Sequence, residues 1–311
     1  MSRQIALILV LIALLAAFGC REPEPDMTVT APEPAPAEPA PPQPVILSEG
    51  FSTPECVIHD AEQDVYFVSN INGAPLAADD NGYISRINAE TLEVEARWID
   101  AAAPNIRLNA PKGLVLAGEE LWVADINRVV RFDRRTGEPR GAFSVQGATF
   151  LNGLAAGDNR VFLSDSGLKA GPDGDFAPTG TDAIWEVTGG KPKRLVRGTD
   201  LHRPNGVAVS DGMLWVVGFG AAELYAIEQG KKSRAVTLPA GSLDGLVVLD
   251  DGSFLISSWE AKAVYRGPSS GPFEPAVEKV DAPAAIGFDS KRNRVLVPHF
   301  MENRVSIHEL R

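Results

Sequence analysis

The sequence predicts an all-β fold built from six similar units, and two recurring motifs support this. A strand-like segment of the form apolar-x-polar-apolar occurs six times, at intervals of forty to fifty-five residues. No stretch after residue 44 shows a sustained helical period, and Asp-Gly, Gly-Asp-Asn and Thr-Gly turns separate the apolar runs. The six segments are 84–87, 129–132, 184–187, 224–227, 264–267 and 305–308.

The second motif precedes each segment and is a glycine followed, nine residues later, by a large apolar side chain. The pairs are Gly113 with Trp122, Gly153 with Phe162, Gly206 with Trp215, Gly245 with Phe254 and Gly287 with Leu296, and in the first copy Cys56 with Val65. Units of about 44 residues with four short strands each indicate a six-bladed β-propeller. A sandwich or a jelly roll would not explain six copies in register.

The ends of the chain predict how the ring closes. The last copy stops just after its third strand, and a spare strand at 45–47 precedes the first copy. We expect this N-terminal strand to complete the last blade, because an open ring would leave edge amides and carbonyls unpaired. The predicted propeller therefore spans residues 45–311.

Two segments before the propeller predict targeting. Arg3 and the uncharged run 5–18 indicate a signal peptide over residues 1–19, and its end at Cys20 resembles a bacterial lipobox. Residues 20–44 contain nine prolines and five acidic residues, which favours a lipidated cysteine followed by an extended tether. Arg21 is not the aspartate associated with inner-membrane retention. We therefore expect a lipoprotein on the periplasmic face of the cell envelope, in the outer membrane rather than the inner.

Composition and missing motifs exclude several functions. The net charge of −12 argues against binding nucleic acid through a basic face. Two cysteines cannot form a disulfide framework or a thiolate zinc site. The sequence contains no GxSxG, HExxH, CxxCH or GxGxxG motif, so serine esterases, zincins, haem proteins and dinucleotide enzymes lack their signatures.

The residue before each motif glycine is expected to face one mouth of the central channel, with the glycine allowing a tight turn. These positions are Glu55, Lys112, Asn152, Asn205, Asp244 and Ile286. Four of them carry side-chain oxygens, which suit Ca²⁺ or Mg²⁺ better than zinc. Asn-Gly and Asp-Gly are also ordinary turn dipeptides whose side chains bond the local backbone. The shared repeat position favours a metal site for Glu55, Asn205 and Asp244, while a lysine at the same position would oppose cation binding.

At these residues the chain resembles the SMP-30/gluconolactonase/LRE-like family of six-bladed, calcium-dependent lactonases. The resemblance lies in Glu55 and Asp60 of the first blade, in the run 204–208 around Asn205-Gly206, and in the Asp244-Gly245 turn. It implies that Glu55, Asn205 and Asp244 are the metal ligands and that Asp244 is also the proton acceptor. Ca²⁺ is then the expected cofactor.

The departures from the family pattern concern the substrate side. The run 149–153 keeps Asn152-Gly153 but lacks the arginine with which family members hold a sugar, so sugar-acid lactones are doubtful substrates. Asn152 and His202 are the predicted substrate contacts. The loop 167–181 is either a lid over the site or a solvated surface insertion. Trp122, Trp185, Trp215 and Trp259 are predicted to pack between blades.

Two functions remain open on the sequence alone. One is an envelope-anchored, metal-dependent hydrolase of a lactone or related ester, with a small-molecule substrate. The other is a non-catalytic propeller that binds or scaffolds other envelope proteins. Lys112 and the missing arginine favour the second function.

The predicted lipid anchor depends on one sulfur atom. Replacing Cys20 with Ala is expected to move the full-length protein from the detergent phase to the aqueous phase in Triton X-114 partitioning of the expressing cells. Cys56→Ala is the matched control, since it changes the other cysteine and should leave the partitioning as it is. A Cys20→Ala protein that stays with the membrane would contradict lipidation.

Overall fold

A computed structural model describes residues 42–172 and 175–310, and this part of the chain forms six four-stranded antiparallel sheets. The predicted signal peptide and most of the predicted tether lie outside the described residues. In five of the sheets the strands come from one continuous segment of the chain, which in the third sheet carries an inserted hairpin, and the sixth sheet combines the N-terminal strand with the last three strands. The innermost strand of each sheet lies beside the innermost strands of the neighbouring sheets. The predicted six-bladed β-propeller is confirmed.

The first three blades comprise β2 to β15, numbered in chain order after the N-terminal strand β1 (Val45–Leu47). Blade one contains β2 (Pro54–Asp60), β3 (Val65–Asn70), β4 (Tyr83–Asn88) and β5 (Val94–Asp100). Blade two contains β6 (Pro111–Ala117), β7 (Glu120–Asp125), β8 (Arg128–Asp133) and β9 (Pro139–Ser144). Blade three contains β10 (Leu151–Gly157), β11 (Arg160–Asp165), β14 (Ala183–Thr188) and β15 (Lys191–Arg197), with an inserted hairpin of β12 (Leu168–Ala170) and β13 (Phe176–Pro178).

The last three blades follow the same plan. Blade four contains β16 (Pro204–Ser210), β17 (Met213–Gly218), β18 (Glu223–Glu228) and β19 (Lys231–Thr237), preceded by a short 3₁₀ turn at Thr199–Leu201. Blade five contains β20 (Leu243–Val248), β21 (Phe254–Ser258), β22 (Ala263–Gly267) and β23 (Glu274–Glu278). Blade six contains β24 (Gly287–Asp289), β25 (Arg294–His299) and β26 (Arg304–Glu309), and its fourth strand is β1.

The N-terminal strand closes the ring as expected. β1 pairs antiparallel with β26, with Val45 opposite Ile307 and Leu47 opposite Val305. Leu47 also packs against the apolar cluster that joins blades six and one. The edge of the last blade is therefore paired by a segment from the other end of the chain, as the unpaired groups of an open ring would require.

The core lies between neighbouring blades and is built from alternating strand residues. One cluster joins blades one and two through side chains such as Phe67, Leu114 and Leu121, all of them buried. Corresponding clusters lie at the other blade contacts, and Trp122, Trp185 and Trp215 belong to them as predicted. Across the described ranges, no helix is long and apolar enough to cross a membrane.

The motif glycines have a structural reason that differs from the expected one. None of Gly113, Gly153, Gly206, Gly245 and Gly287 has a positive φ angle, so a tight turn does not require them. Each instead lies against backbone of the next blade: a Cβ on Gly113 would lie less than 3.0 Å from the carbonyl oxygen of Asn152. Glycine is therefore needed for close approach of the inner strands. Blade one has Cys56 at this position, where its side chain is buried in the cluster between blades one and two.

Close approach of the inner strands predicts a position-specific cost. Gly113→Ala is expected to lower the free energy of unfolding by about 3 kcal/mol, because the added methyl group forces two blades apart. Cys56→Ala is the matched control at the same repeat position, where a Cβ is already present, and should cost about 1 kcal/mol. Urea unfolding of both variants measures the difference. Equal losses would show that the inner strands can move apart freely.

Candidate functional site

Five of the six predicted channel residues line one cavity at the mouth where the inner strands begin. Their side chains are buried, with at most 6% of the residue surface exposed. The space at this mouth measures about 600 Å³ when the open solvent in it is included. The five residues are Glu55, Lys112, Asn152, Asn205 and Asp244. The expectation for Ile286 is wrong, since its side chain packs in the core between blades five and six and lines the opposite mouth of the channel.

A break in strand pairing aims these side chains into the channel. The pairing of each of the first five inner strands with the second strand of its blade shifts at the channel residue, for example between Pro204 and Val207. In blade five the shift falls between Leu243 and Leu246, on either side of Asp244. Such bulges turn a side chain out of the regular alternation. The local strand irregularity therefore presents one side chain per blade to the channel.

Three oxygen atoms at this mouth have no hydrogen-bond partner within the described part of the chain. They are Oε2 of Glu55, Oδ1 of Asn152 and Oδ1 of Asp244. Buried polar atoms in proteins are almost always paired, because an unpaired one loses its hydration without compensation. Blades one, three and five thus each direct an unsatisfied acceptor at the same cavity.

The orientation of the Asn152 amide follows from its neighbours. Its Nδ2 donates to Oγ of Ser166 at 3.3 Å, and the Ser166 hydroxyl donates to the carbonyl of Pro204 at 2.8 Å. Because Ser166 uses its only proton on Pro204, it can only accept from Asn152. The amide oxygen of Asn152 therefore faces the cavity, as an acceptor.

Burial disfavours the charged forms of both carboxyl groups, and repulsion by Asp244 adds to this at Glu55. Burial is the main cause that raises the pKa of Glu55 well above its usual value, and the charge of Asp244 adds to the rise. Burial likewise raises the pKa of Asp244, although the Trp259 indole and the Asn205 side chain oppose this. The Trp259 Nε1 donates to Oδ2 of Asp244 at 3.0 Å. The ionised forms of these two acids would therefore need a positive charge in the cavity to stabilise them.

Lys112 supplies only part of that charge. Its Nζ donates to the carbonyl of Ala110 at 2.9 Å and lies 4.5 Å from the ring centroid of Phe150. Burial lowers the pKa of Lys112, and the charges of Glu55 and Asp125 act against this fall. In the described ranges it forms no ion pair within 4.0 Å, so it does not neutralise Glu55 by direct contact.

A second ring of residues, which sequence reasoning missed, surrounds the cavity above these oxygens. It consists of the residues that directly follow the second strand of a blade: Ile71, Ser166, Phe219, Trp259 and Phe300. The ring centroids of Phe219 and Trp259 are 5.4 Å apart, and those of Trp259 and Phe300 are 5.2 Å apart. We call these five residues the collar. The prediction that Trp259 packs between blades is wrong, since it lines the cavity.

The repeat itself carried the signal for the collar. Each collar residue follows the channel residue of its blade by fourteen to sixteen positions: Phe219 lies fourteen after Asn205, and Ile71 sixteen after Glu55. Reading the aromatic residues at this offset, rather than one by one, would have placed Phe219, Trp259 and Phe300 around one opening.

The loop 167–181 contains the hairpin β12–β13, and two of its side chains reach the cavity. Leu168 and Phe176 line the opening, and the ring of Phe176 meets that of Phe150 edge-on at 5.6 Å. Phe176 is nevertheless 48% exposed. The hairpin thus forms one side of the cavity wall, which agrees with a lid better than with a solvated insertion.

His202 does not reach the cavity. It ends the 3₁₀ turn with a left-handed backbone, and its Nε2 lies 4.0 Å from Oε2 of Glu223. The neighbouring Arg203, rather than His202, is among the lining residues. This placement gives no support to the substrate contact predicted for His202.

The oxygen set fits a hard divalent cation. Two carboxylates and two carboxamides from four blades surround one space, and three of their oxygens lack partners in the described chain. Within the described ranges, no group of three or more His, Cys, Asp or Glu side chains is placed so that it could hold a metal ion, so thiolate or imidazole sites typical of zinc are not formed. Oxygen donors alone favour Ca²⁺ or Mg²⁺. Cys56 is a buried free thiol, as expected.

Comparison with solved structures places the fold among known propellers. A gluconolactonase from Xanthomonas campestris is 18% identical, with a TM-score of 0.64 over 89% of this chain and 97% of that one. The calcium-binding protein regucalcin from Agrobacterium tumefaciens is 15% identical, with a TM-score of 0.58 over 84% and 90%. A virginiamycin B lyase from Staphylococcus aureus, solved with quinupristin, is 16% identical, with a TM-score of 0.58 over 86% and 99%.

These neighbours confirm that the chain resembles gluconolactonase and regucalcin propellers in fold. At the level of sequence, no protein-family model and no curated protein matches it. The comparison therefore supports the six-bladed propeller fold. The chemistry at the mouth of the channel has to be inferred from the residues of this chain.

The raised pKa of Asp244 predicts how stability depends on pH in chelator-treated protein. A carboxyl group whose folded pKa exceeds its unfolded value holds more protons when folded, so stability falls as pH rises above about 4. Asp244→Asn removes this titration and should flatten the decline of Tm between pH 4 and 8. Exposed Asp211, replaced by Asn, is the control. An unchanged slope in Asp244→Asn would contradict the raised pKa.

Proposed function

We propose that the protein is a divalent-cation-dependent hydrolase of a lactone or related ester. The observation that carries the proposal is the set of unsatisfied oxygens of Glu55, Asn152 and Asp244 in one cavity. Buried acceptors without partners are stabilised when a cation binds them, and a mouth open to solvent leaves room for a substrate. The best candidate for the cation is Ca²⁺.

Each proposed cation ligand belongs to a different blade. Glu55, Asn205 and Asp244 are the ligands expected from the family resemblance, and all three line the cavity. We add Asn152 as a fourth, because its amide oxygen rather than its amino group faces this space. In the proposed arrangement Asn152 is therefore a cation ligand, and not the substrate contact that the sequence predicted.

When bound, the cation would polarise the carbonyl of the substrate as a Lewis acid. The remaining steps belong to the side chains. The Asp244 carboxylate accepts the proton of the attacking water, while the Trp259 indole donates to its Oδ2 and holds the group in place. As the ring opens, the same carboxyl group returns that proton to the alkoxide leaving group. Hydrolysis therefore consumes one water and leaves Asp244 unchanged.

The fold neighbours support this class of reaction without fixing it. A gluconolactonase and a calcium-binding regucalcin share the architecture; the first name agrees with a lactone substrate and the second with a bound Ca²⁺. The lyase that binds quinupristin shows that the architecture also accepts other small molecules.

Lys112 is the observation that favours the second function, a propeller that binds envelope proteins without catalysis. A buried ammonium group among the oxygens lowers the affinity for any cation. Lys112 nevertheless leaves the three acceptors unpaired, and this is why we prefer the hydrolase. Anchoring at the periplasmic face of the envelope remains part of the proposal and rests on the sequence of residues 1–44 alone.

The hydrolase proposal predicts opposite effects for two isosteric or near-isosteric changes. Glu55→Gln should weaken Ca²⁺ binding in calorimetry, whereas Lys112→Met should strengthen it because a repelling charge is removed. Asp244→Asn should lower kcat for a lactone by about 100-fold or more, the scale of a lost general base. Asp211→Asn, which removes an exposed charge, should change neither the affinity for Ca²⁺ nor kcat.

The outcomes separate the two functions. Calcium binding that is lost in Glu55→Gln, together with inactivity of Asp244→Asn, supports the hydrolase. Protein that ignores both Ca²⁺ and chelator in its melting temperature, and that hydrolyses no lactone, would overturn it in favour of the binding function.

A further inference from the structure

The wall of the cavity differs sharply in chemistry from its floor. The floor holds the carboxylate, amide and ammonium groups, whereas the wall is built almost entirely from apolar rings and side chains. Phe219, Trp259 and Phe300 form a continuous aromatic run in the collar. Phe150 and Phe176 form a second aromatic pair on the side of the hairpin. Ile71, Pro75 and Leu168 complete the lining between them.

The polar groups of the wall have little capacity left for a substrate. The Ser166 hydroxyl donates to the carbonyl of Pro204 and accepts from Asn152. The indole N–H of Trp259 is occupied by Asp244. Arg203 is exposed at the edge of the opening, and it is the remaining charged side chain among the lining residues outside the floor. A polyhydroxylated substrate would therefore find hydrogen-bond donors on this wall only at Arg203, and it would lose hydration along the rest of the wall without recovering hydrogen bonds.

We propose that the substrate is an apolar lactone or ester, in which the reacting carbonyl meets the oxygen floor and an alkyl or aryl substituent lies between the collar and the hairpin. This inference rests on the proposed hydrolase function and adds the substrate class. It replaces the sugar-acid lactone that a gluconolactonase would suggest. Phe176 then acts as a specificity-determining residue.

The exposure of Phe176 supports this role. It is one of four large apolar side chains in the described ranges that are strongly exposed, and it stands at the rim of the cavity. Its ring meets that of Phe150 edge-on, and about half of the residue's surface is left to water. An apolar substituent in the opening would cover that surface, and the burial contributes to binding.

A homologous series of lactones tests the substrate class. Hydrolysis of γ-butyrolactone, γ-hexalactone, γ-octalactone, γ-decalactone and D-glucono-1,5-lactone by the Ca²⁺-loaded full chain can be followed with a pH indicator. We expect kcat/KM to rise along the γ-lactones by about fourfold per methylene group until the cavity is filled. The sugar lactone should be the poorest substrate of the five.

Two variants locate the effect. Phe176→Ala should lower kcat/KM for γ-decalactone about tenfold more than for γ-butyrolactone. Met301→Ala is the matched control, because Met301 is 71% exposed next to the collar but does not line the cavity. This control should leave the whole series unchanged. Chain-length dependence that survives intact in Phe176→Ala would overturn the role of this residue.

Binding without hydrolysis separates this inference from the proposed function. 2-Alkylcyclopentanones carry a ring carbonyl and a chain but no ester bond, and their affinity can be measured by calorimetry. Chain-dependent ketone binding without turnover of any lactone would refute the hydrolase and retain the apolar ligand class. Turnover that is independent of chain length, or best with D-glucono-1,5-lactone, would overturn the substrate class and retain the hydrolase.

Discussion

The close approach of the inner strands is the constraint on which the rest of this structure depends. Each motif glycine lies against backbone of the next blade, so that a side chain at Gly113 or Gly206 would collide with it. Because the glycine directly follows the channel residue, the same contact that holds two blades together fixes where the channel side chain begins. The motif glycines therefore determine both how the blades pack into a ring and where the site residues lie.

Close approach also concentrates charge that the fold alone does not stabilise. Glu55 and Asp244 come from distant parts of the chain, yet burial in the same cavity raises the pKa of both, and the charge of Asp244 raises the pKa of Glu55 further. Buried charges normally persist only when they are paired or bind a metal. The Lys112 ammonium group is directed to Ala110 and Phe150 instead of to the free oxygens. A bound cation is the simplest remaining source of compensation.

The fold was predictable from sequence because its information is repeated. Six copies of a strand motif and a glycine at a constant offset define the blades, and the spare strand at Val45–Leu47 defines the closure. The channel residues followed from the same offset, and five of six lie where it placed them. Ile286 departs because blade six has an inner strand of only three residues, which begins after this position. His202 departs because a 3₁₀ turn, which no repeat specifies, directs it towards Glu223.

The collar was not predicted because single aromatic residues in a β-rich chain are ambiguous between core and cavity. Trp215 and Trp259 look alike in sequence, yet one is in a strand and packs between blades, while the other directly follows a strand and faces the opening. The difference is positional. Successive residues inside the second strand point to opposite faces of the blade. The residue just beyond the end of the strand lies outside this alternation, at the mouth of the channel. In this architecture the inner strands carry the polar groups of the floor. The residues at the ends of the second strands line the opening through which a ligand reaches them. The two sets of residues meet in blades three and five, where Ser166 accepts a hydrogen bond from Asn152 and Trp259 donates one to Asp244. A change at either of these strand ends therefore also alters the oxygen it positions.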